Sequence, residues 1–344
     1  MDETMSPAAV PESRSRAATI AQFVAWSAVV SLAVLATVEA RQYDALSALS
    51  AIPPWGWWSV GSLIAVVALV RCSLRTRLAV VAILLMIGAN WVEQFSSIAR
   101  STLDFVSADQ ARPWLRVVSL NCSTGSRRAA EEVASFSPDV VLLQESPGGD
   151  VLAELAAKLF GAQASVLVTG DCSILARGRL QLISESRNHL HARFERVDGR
   201  AVHVMCVRLL PPVVRYDLWD PGCWREYRAA RETRRAEAQE IARLLSDVPA
   251  GELIVLGGDC NAPAGDGALQ QWAPKMRDAF SAAGRGWGAT VLNRTPVHRF
   301  DQVWSTDTLA PQRVTAVKSS YSDHRMVVAD FVSSTVRLAP NREG

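Results

Sequence analysis

Residues 20–38 form a nearly unbroken apolar run without a single charged side chain. Wound as a helix, such a run crosses about 30 Å of hydrocarbon. Two more uncharged runs follow, at residues 55–70 and 78–92. A secretory leader carries one apolar stretch of roughly 7–15 residues, so three runs predict three transmembrane helices rather than a cleaved signal. Trp55, Trp57 and Trp58 open the second run and Trp91 closes the third, where amphipathic aromatics settle at the headgroup level. Arg71, Arg75 and Arg77 lie between the second and third runs, whereas the first loop sets Arg41 against Glu39 and Asp44. Positive charge is retained on the cytoplasmic side. The tail and second loop are therefore expected inside, and the first loop and everything after residue 93 outside the cytoplasm.

The apolar residues concentrate before residue 93, which divides the 344-residue chain. Residues 1–18 are polar with nothing to fold against and read as a disordered cytoplasmic tail. Residues 19–93 read as the membrane anchor, 94–113 as a juxtamembrane helix and linker, 114–335 as one soluble domain, and 336–344 as a C-terminal tail. Net charge is only +2, so no global basic field argues for nucleic acid. The six cysteines lack CxxC spacing and a matching histidine cluster, which argues against structural zinc. They read as buried free thiols, with disulfides an option for a domain outside the cytoplasm.

From Trp114 onward short β-rich runs dominate, among them LRVVSLN, DVVLLQE, AVHVMCVRLL, LIVLGGD, FDQVW and RMVVADF. Residues 127–136 read as a helix ended by Pro138. Residues 226–246 read as a longer amphipathic helix with Ala230, Ala238, Ile241, Leu244 and Leu245 on its apolar side. Its arginines, Arg228, Arg231, Arg234 and Arg235, alternate with Glu232, Glu237 and Glu240 and read as a solvated face. Many strands with a few helices predict an α/β sandwich, two sheets covered by helices.

The run LIVLGGDCNAP delivers Asp259 and Asn261 at a strand end. Side chains two apart leave a strand on one face, so a carboxylate and an amide point together. Such a pair can hold and activate a water beside a phosphate. Other apolar runs also stop on polar groups, SLN at Asn121 and LLQE at Glu145, while FD opens a strand at Asp301 and SDH precedes the last strand with Asp323 and His324. Each would cost free energy to bury unless paired or bound to a cation.

In order and spacing, SLN, QE, GDxN, FDQVW and SDH resemble the endonuclease/exonuclease/phosphatase superfamily, the fold of DNase I, apurinic endonucleases, neutral sphingomyelinases and inositol phosphatases. The resemblance spans about residues 114–332, including WGAT ahead of FDQVW. It implies Glu145 as the principal ligand of a divalent cation, Mg²⁺ or else Mn²⁺, with Asn121 and Asp323 beside it. It also implies that Asp259 orients or deprotonates the attacking water, that Asn261 steadies a phosphate oxygen, and that His324, held by Asp301, contacts the phosphoryl group. Two positions depart from the pattern. Arg208 stands where many members place histidine; arginine clamps phosphate but is no general base at neutral pH. His203, five residues earlier, faces the other side of its strand. Gln302 occupies a position often filled by histidine or tyrosine. His189, His191 and His298 lack partners at ligand spacing and read as packing or exposed residues.

Three N-terminal spans followed by this domain resemble the VanJ-type membrane phosphatases, which implies a lipid phosphate or pyrophosphate substrate. The Pro-, Trp- and Tyr-rich segment at residues 211–224 is a candidate entrance for lipid. Two other classes stay open: an extracytoplasmic nuclease, and a non-catalytic module that captures phosphate ligands.

Overall fold

A computed structural model of the chain describes residues 12–103 and 113–333. They form two units. One comprises Ile52–Phe95 and the helix ending at Arg41; the other comprises Gln42–Ala51 and the residues from Ser96 onward.

Three helices make the first unit: α1 (Glu12–Arg41), α2 (Pro54–Leu69) and α3 (Leu74–Trp91). Pro54 at the first position of α2 suits a helix start, where no backbone N–H is required. Ser73 caps α3 by accepting from Thr76 N. Helix α1 begins inside the stretch expected to be a disordered tail, because residues 12–19 continue the helical run of the apolar segment behind them. The rest of that tail, residues 1–11, lies outside the described residues, as does the C-terminal tail. Two helices, Arg16–Arg41 and Leu74–Trp91, are long and apolar enough to cross a membrane. The expected third span, α2, reaches that length only together with a 3-10 turn at Asp44–Ala51, from which it is bent by 73°.

Helix α4 (Glu93–Leu103) begins in the first unit and continues into the second, which goes on with β1 (Leu115–Asn121), α5 (Arg127–Glu132), β2 (Val140–Gln144) and α6 (Gly149–Phe160). Strands β3 (Ala164–Thr169), β4 (Cys172–Glu185), β5 (His189–Arg196) and β6 (Ala201–Arg208) follow, then α7 (Pro221–Asp247) and β7 (Ile254–Asp259). The chain ends with β8 (Arg277–Asp278), α8 (Ala279–Ala283), β9 (Gly284–Arg285), β10 (Asp301–Ser305), β11 (Leu309–Val317) and β12 (Met326–Ser333). Helix α6 is unassigned by the sequence reading. Its apolar residues at i, i+3, i+4 and i+8, Leu152, Leu155, Ala156 and Phe160, carry the signal.

The strands form one hydrogen-bonded path, β8-β10-β7-β6-β5-β4-β2-β1-β12-β11-β9, with β3 beside β4. The expected pair of separate sheets is thus a single sheet that curls on itself. Strand β4 makes the join, pairing β2 through Cys172–Ala176 and β5 from Gly178 onward. Gly178 has φ +147°, and a Cβ there would lie 2.2 Å from Glu195 O, so the junction needs glycine. Leu142, Ile174, Phe194, Val204, Val255 and Phe331, from both halves, fill the core between them. The outer faces are covered as well: α5 and α6 pack on Leu120, Val141 and Leu143, and α7 packs on Met205, Val207 and Leu256. Strands buried on both faces read as continuous apolar runs rather than alternating ones.

The arginine face of α7 is not uniformly solvated. Arg231 and Arg234 are each only 4% exposed, because the chain returns over them after β7, where Asp266 meets Arg231 Nη2 at 3.0 Å. Arg235 pairs with Asp44 at 2.8 Å, docking the 3-10 turn onto α7. All six cysteines are buried and free.

Candidate active site

The register of β7 assembles the centre. Arg208 of β6 and Asp301 of β10 both lie directly opposite Asp259, on its two sides. The glycine before Asp259 permits this. A Cβ at Gly258 would stand 1.9 Å from Val207 O, and φ there is +149°. On the other half of the sheet, β1 and β2 run parallel and end together at Asn121 and Gln144. Asn121 bridges the two halves: its Nδ2 donates to Glu145 Oε1 and to Asp259 Oδ2, each at 3.1 Å.

Local backbone conformation aims these groups. Glu145, Asn261, Ser123 and Thr124 all have φ between +45° and +58°, a left-handed region that costs non-glycine residues free energy and is kept where surrounding contacts enforce it. Thr124 N donates to Glu145 Oε2 at 2.8 Å and Ser123 N donates to Asn121 Oδ1 at 2.9 Å. Asn261 N donates to Asp259 Oδ1, and Asn261 Nδ2 to Leu209 O. Asp323 is exposed and accepts from Ser123 Oγ at 2.6 Å.

Asp301 and His324 are joined by a 2.8 Å contact between Oδ2 and Nδ1. Burial works against a charged His324, but the carboxylates of Asp301, Asp259 and Asp323 outweigh it and push the imidazole up to about 10. Burial, helped by Asp301, pushes Asp259 up to about 6. Glu145 moves the other way. Burial raises it, yet donors from Asn121, Thr124 and Arg208 hold it below the usual carboxylate value. One buried carboxylate is thus poised near neutrality while its neighbour stays ionised, the division of labour that acid-base chemistry uses.

The fold brings Asn121, Glu145, Arg208, Asp259, Asp301 and His324 together, while Asn261 turns its amide nitrogen to Leu209 O and Asp323 is exposed on Ser123. Arg208 faces the centre, with Nη2 2.8 Å from Glu145 Oε1, while His203 turns away to meet His191 at 3.0 Å. Gln302 does not face it; Gln302 Nε2 donates to Ala262 O inside the fold. Three contributors escape the sequence reading. Asp171, in the turn between β3 and β4, accepts from Arg208 Nη1 at 3.0 Å and shares in holding the guanidinium. Thr290 Oγ1 accepts from the backbone N–H groups of Phe300 and Asp301; it is the threonine of WGAT, where the motif was visible but its use was not. Ser322 Oγ donates to Asn121 O and accepts from His324 N.

The donors suit a hard divalent cation. Asp259 and Asp301 offer carboxylate oxygens within 4.8 Å of one another, and Asp301 Oδ1 is buried without a hydrogen-bond donor; His324, charged and bonded to Asp301 through Nδ1, is no ligand in that state. The Glu145 carboxylate lies across Asn121 from this group. Asn121 presents its amide nitrogen to the carboxylates and its oxygen to Ser123 N.

Carboxylates and amides focused on one point, flanked by an imidazolium and a guanidinium, form a setting for water attack on a phosphate ester, where charge placement is most of the catalysis. The chain belongs to the endonuclease/exonuclease/phosphatase family, whose model matches residues 118–324. Members of that family are hydrolases, phosphatases and nucleases among them. Similar solved structures include an endonuclease/exonuclease/phosphatase protein from Bacteroides vulgatus, at 15% identity and TM-score 0.50, covering 64% of this chain and 99% of that one. A conserved protein of unknown function from Enterococcus faecalis is 16% identical with TM-score 0.50, covering 64% and 100%. The catalytic domain of human Nocturnin, with bound sulfate, is 16% identical with TM-score 0.50, covering 66% and 97%. At such identity the likeness concerns the fold. No curated protein matches the chain.

Proposed function

We propose that the chain is a membrane-anchored, Mg²⁺-dependent phosphoesterase that hydrolyses a lipid phosphate or pyrophosphate on the extracytoplasmic face. The observation that carries the reading is the meeting of Glu145, Asn121, Asp259, Asp301, His324 and Arg208 in one place, in a chain with helices apolar enough to cross a membrane.

Asp259 takes the proton of the attacking water. His324, charged and braced by Asp301, faces the phosphoryl oxygens together with Arg208, and Asn261 steadies the phosphate. Glu145, with Asn121 and Asp323 beside it, would hold Mg²⁺, which would supply charge to draw electron density from the phosphoryl oxygen.

A packing contact supports three crossings. The segment between α1 and α2 belongs to the catalytic unit, with Asp44 on Arg235 and Gln42 Oε1 accepting from Gly267 N. That segment and the catalytic unit must share one side of the membrane, so α2 and α3 cross as a pair or not at all. At about 1.5 Å per residue, the 16 residues of α2 suffice with local thinning of the bilayer. The arginines at 71, 75 and 77 put the α2–α3 turn inside.

The test is a phosphate-release panel. Purified protein with Mg²⁺ is expected to release phosphate from undecaprenyl pyrophosphate or simpler lipid phosphates faster than it cuts plasmid DNA or sphingomyelin. Release from none of the lipids would end the proposal, and salt-sensitive plasmid cleavage would replace it with a nuclease.

A further inference from the structure

Beside Asn261 the catalytic unit encloses a cavity of about 120 Å³. Ala51, Val213, Val291, Leu292 and Phe300 give it apolar walls, and Arg234 is its one charged lining residue. It abuts the reaction centre, since Asn261 lies two residues past Asp259 and Val291 forms a β-bridge with His324.

Arg234 is unusual among the buried arginines of α7. Its Nη1 reaches Pro211 O at 3.4 Å, its Nε has no partner, and among the described residues no carboxylate lies within ion-pair distance of it. The nearest carboxylates are engaged elsewhere: Asp266 with Arg231, and Glu237 with Leu210 N. Burial accordingly pulls Arg234 below the usual arginine value. A charge held away from water without a counter-charge is costly, and an anion would relieve it.

The walls are fixed in advance. Tyr227 Oη lies 3.0 Å from both Val213 O and Arg215 O and shares its one proton between them, and Arg215 is in turn clamped by Asp220 and Glu226. Opposite, His298 Nε2 meets Ala51 O at 3.2 Å and its ring stacks on Phe300. Val214, Tyr216 and Leu292 line the same cavity and remain exposed, so an apolar rim leads outward from the charged floor.

We infer that this cavity is a second anion subsite, in which Arg234 receives the leaving phosphate of a diphosphate ester while the apolar walls admit the start of its hydrocarbon. The inference rests on the phosphoesterase reading and narrows its substrate to a lipid diphosphate. Water oxygen bonds to the terminal phosphorus as the bond from that phosphorus to the bridging oxygen breaks. The electron pair leaves with the bridging oxygen on the lipid monophosphate, at Arg234, and the water proton passes to Asp259. A guanidinium in a water-poor cleft binds phosphate through charge-assisted, bidentate hydrogen bonds.

The experiment compares farnesyl diphosphate with farnesyl monophosphate, using the full chain in detergent with Mg²⁺. Wild type is expected to favour the diphosphate in kcat/KM. Arg234→Met should lower the diphosphate-to-monophosphate ratio about tenfold or more, mainly through KM, and Arg234→Lys should lower it less. A ratio unchanged in both variants, or equal losses on both substrates, overturns the subsite. Should Arg234→Met fail to fold, the ratio for Arg234→Lys decides. If wild type releases phosphate from neither substrate, the phosphoesterase reading falls, and the subsite is judged by binding alone. Inorganic pyrophosphate should then raise the Tm of wild type more than that of Arg234→Lys, and equal shifts overturn it.

Discussion

The helical unit and the catalytic unit differ in what they expose and in the polar groups they bury. In the first, Phe23, Val67 and Leu74 are 66–72% exposed, while Ala25 and Ala65 are fully buried. Many large apolar groups face outward although Leu32, Val80 and Leu84 are buried between the helices, and an apolar exterior of this kind suggests a hydrocarbon surrounding. In the second, Leu142 and Phe194 are fully buried, and so, within 1%, are Asn121, Asp259 and Asp301. Apolar residues outside mark the solvent a region is built for; polar residues inside mark work that burial alone does not explain.

The most decisive attack on that contrast is Asp259→Asn. If the buried carboxylates serve chemistry, kcat for phosphate release falls by about 10²–10⁴ while the Tm holds or rises, since a buried charge has gone. A large loss of Tm with little loss of rate would make Asp259 a structural residue.

Core truncations come next. Leu142→Ala, between the halves of the sheet, should cost about 2–5 kcal/mol of stability. Val67→Ala, on the exposed face of α2, should cost under about 0.5 kcal/mol in detergent. Equal costs in thermal melts would erase the distinction between the two units.

A smaller effect comes from the histidine pair. Burial, then His203 and His189, push His191 down from 6.5 to about 4. Above pH 6.5 both folded and unfolded chains leave it neutral and its contribution to stability is complete. As pH falls from 6.5 to about 4 only the unfolded chain gains the proton, so stability drops, by at most about 3 kcal/mol. His191→Gln should flatten the pH dependence of Tm across that window, and an unchanged slope would assign it to other groups.

Legibility in the sequence followed local determination. The strand-edge residues of the site could be read because an apolar run stops on them, as at Asn121, Glu145 and Asp259, or begins just after them, as at Asp301 and His324, and the register of β6, β7 and β10 then sets Arg208, Asp259 and Asp301 side by side. Asp171 and Ser322 were hidden because turns are rich in Asp and Ser for local reasons, and only the folded chain shows what they hold. Arg231 and Arg234 were misread as solvated because the alternation of charges along α7 does not reveal that a later segment, carrying Asp266, folds back over one side of it. The separate sheets became one path through a single glycine in β4, a bend with no periodic signature.

The central claim is that Glu145, Asp259 and His324 form one cation-dependent phosphoesterase centre. Phosphate release measured against Mg²⁺ concentration, for wild type and Glu145→Gln, tests it most directly. The account predicts that chelation by EDTA abolishes wild-type release, that Mg²⁺ restores it, and that Glu145→Gln needs at least about tenfold more Mg²⁺ for half-maximal rate. Release that ignores EDTA, or a Mg²⁺ requirement left unchanged by Glu145→Gln, would contradict it.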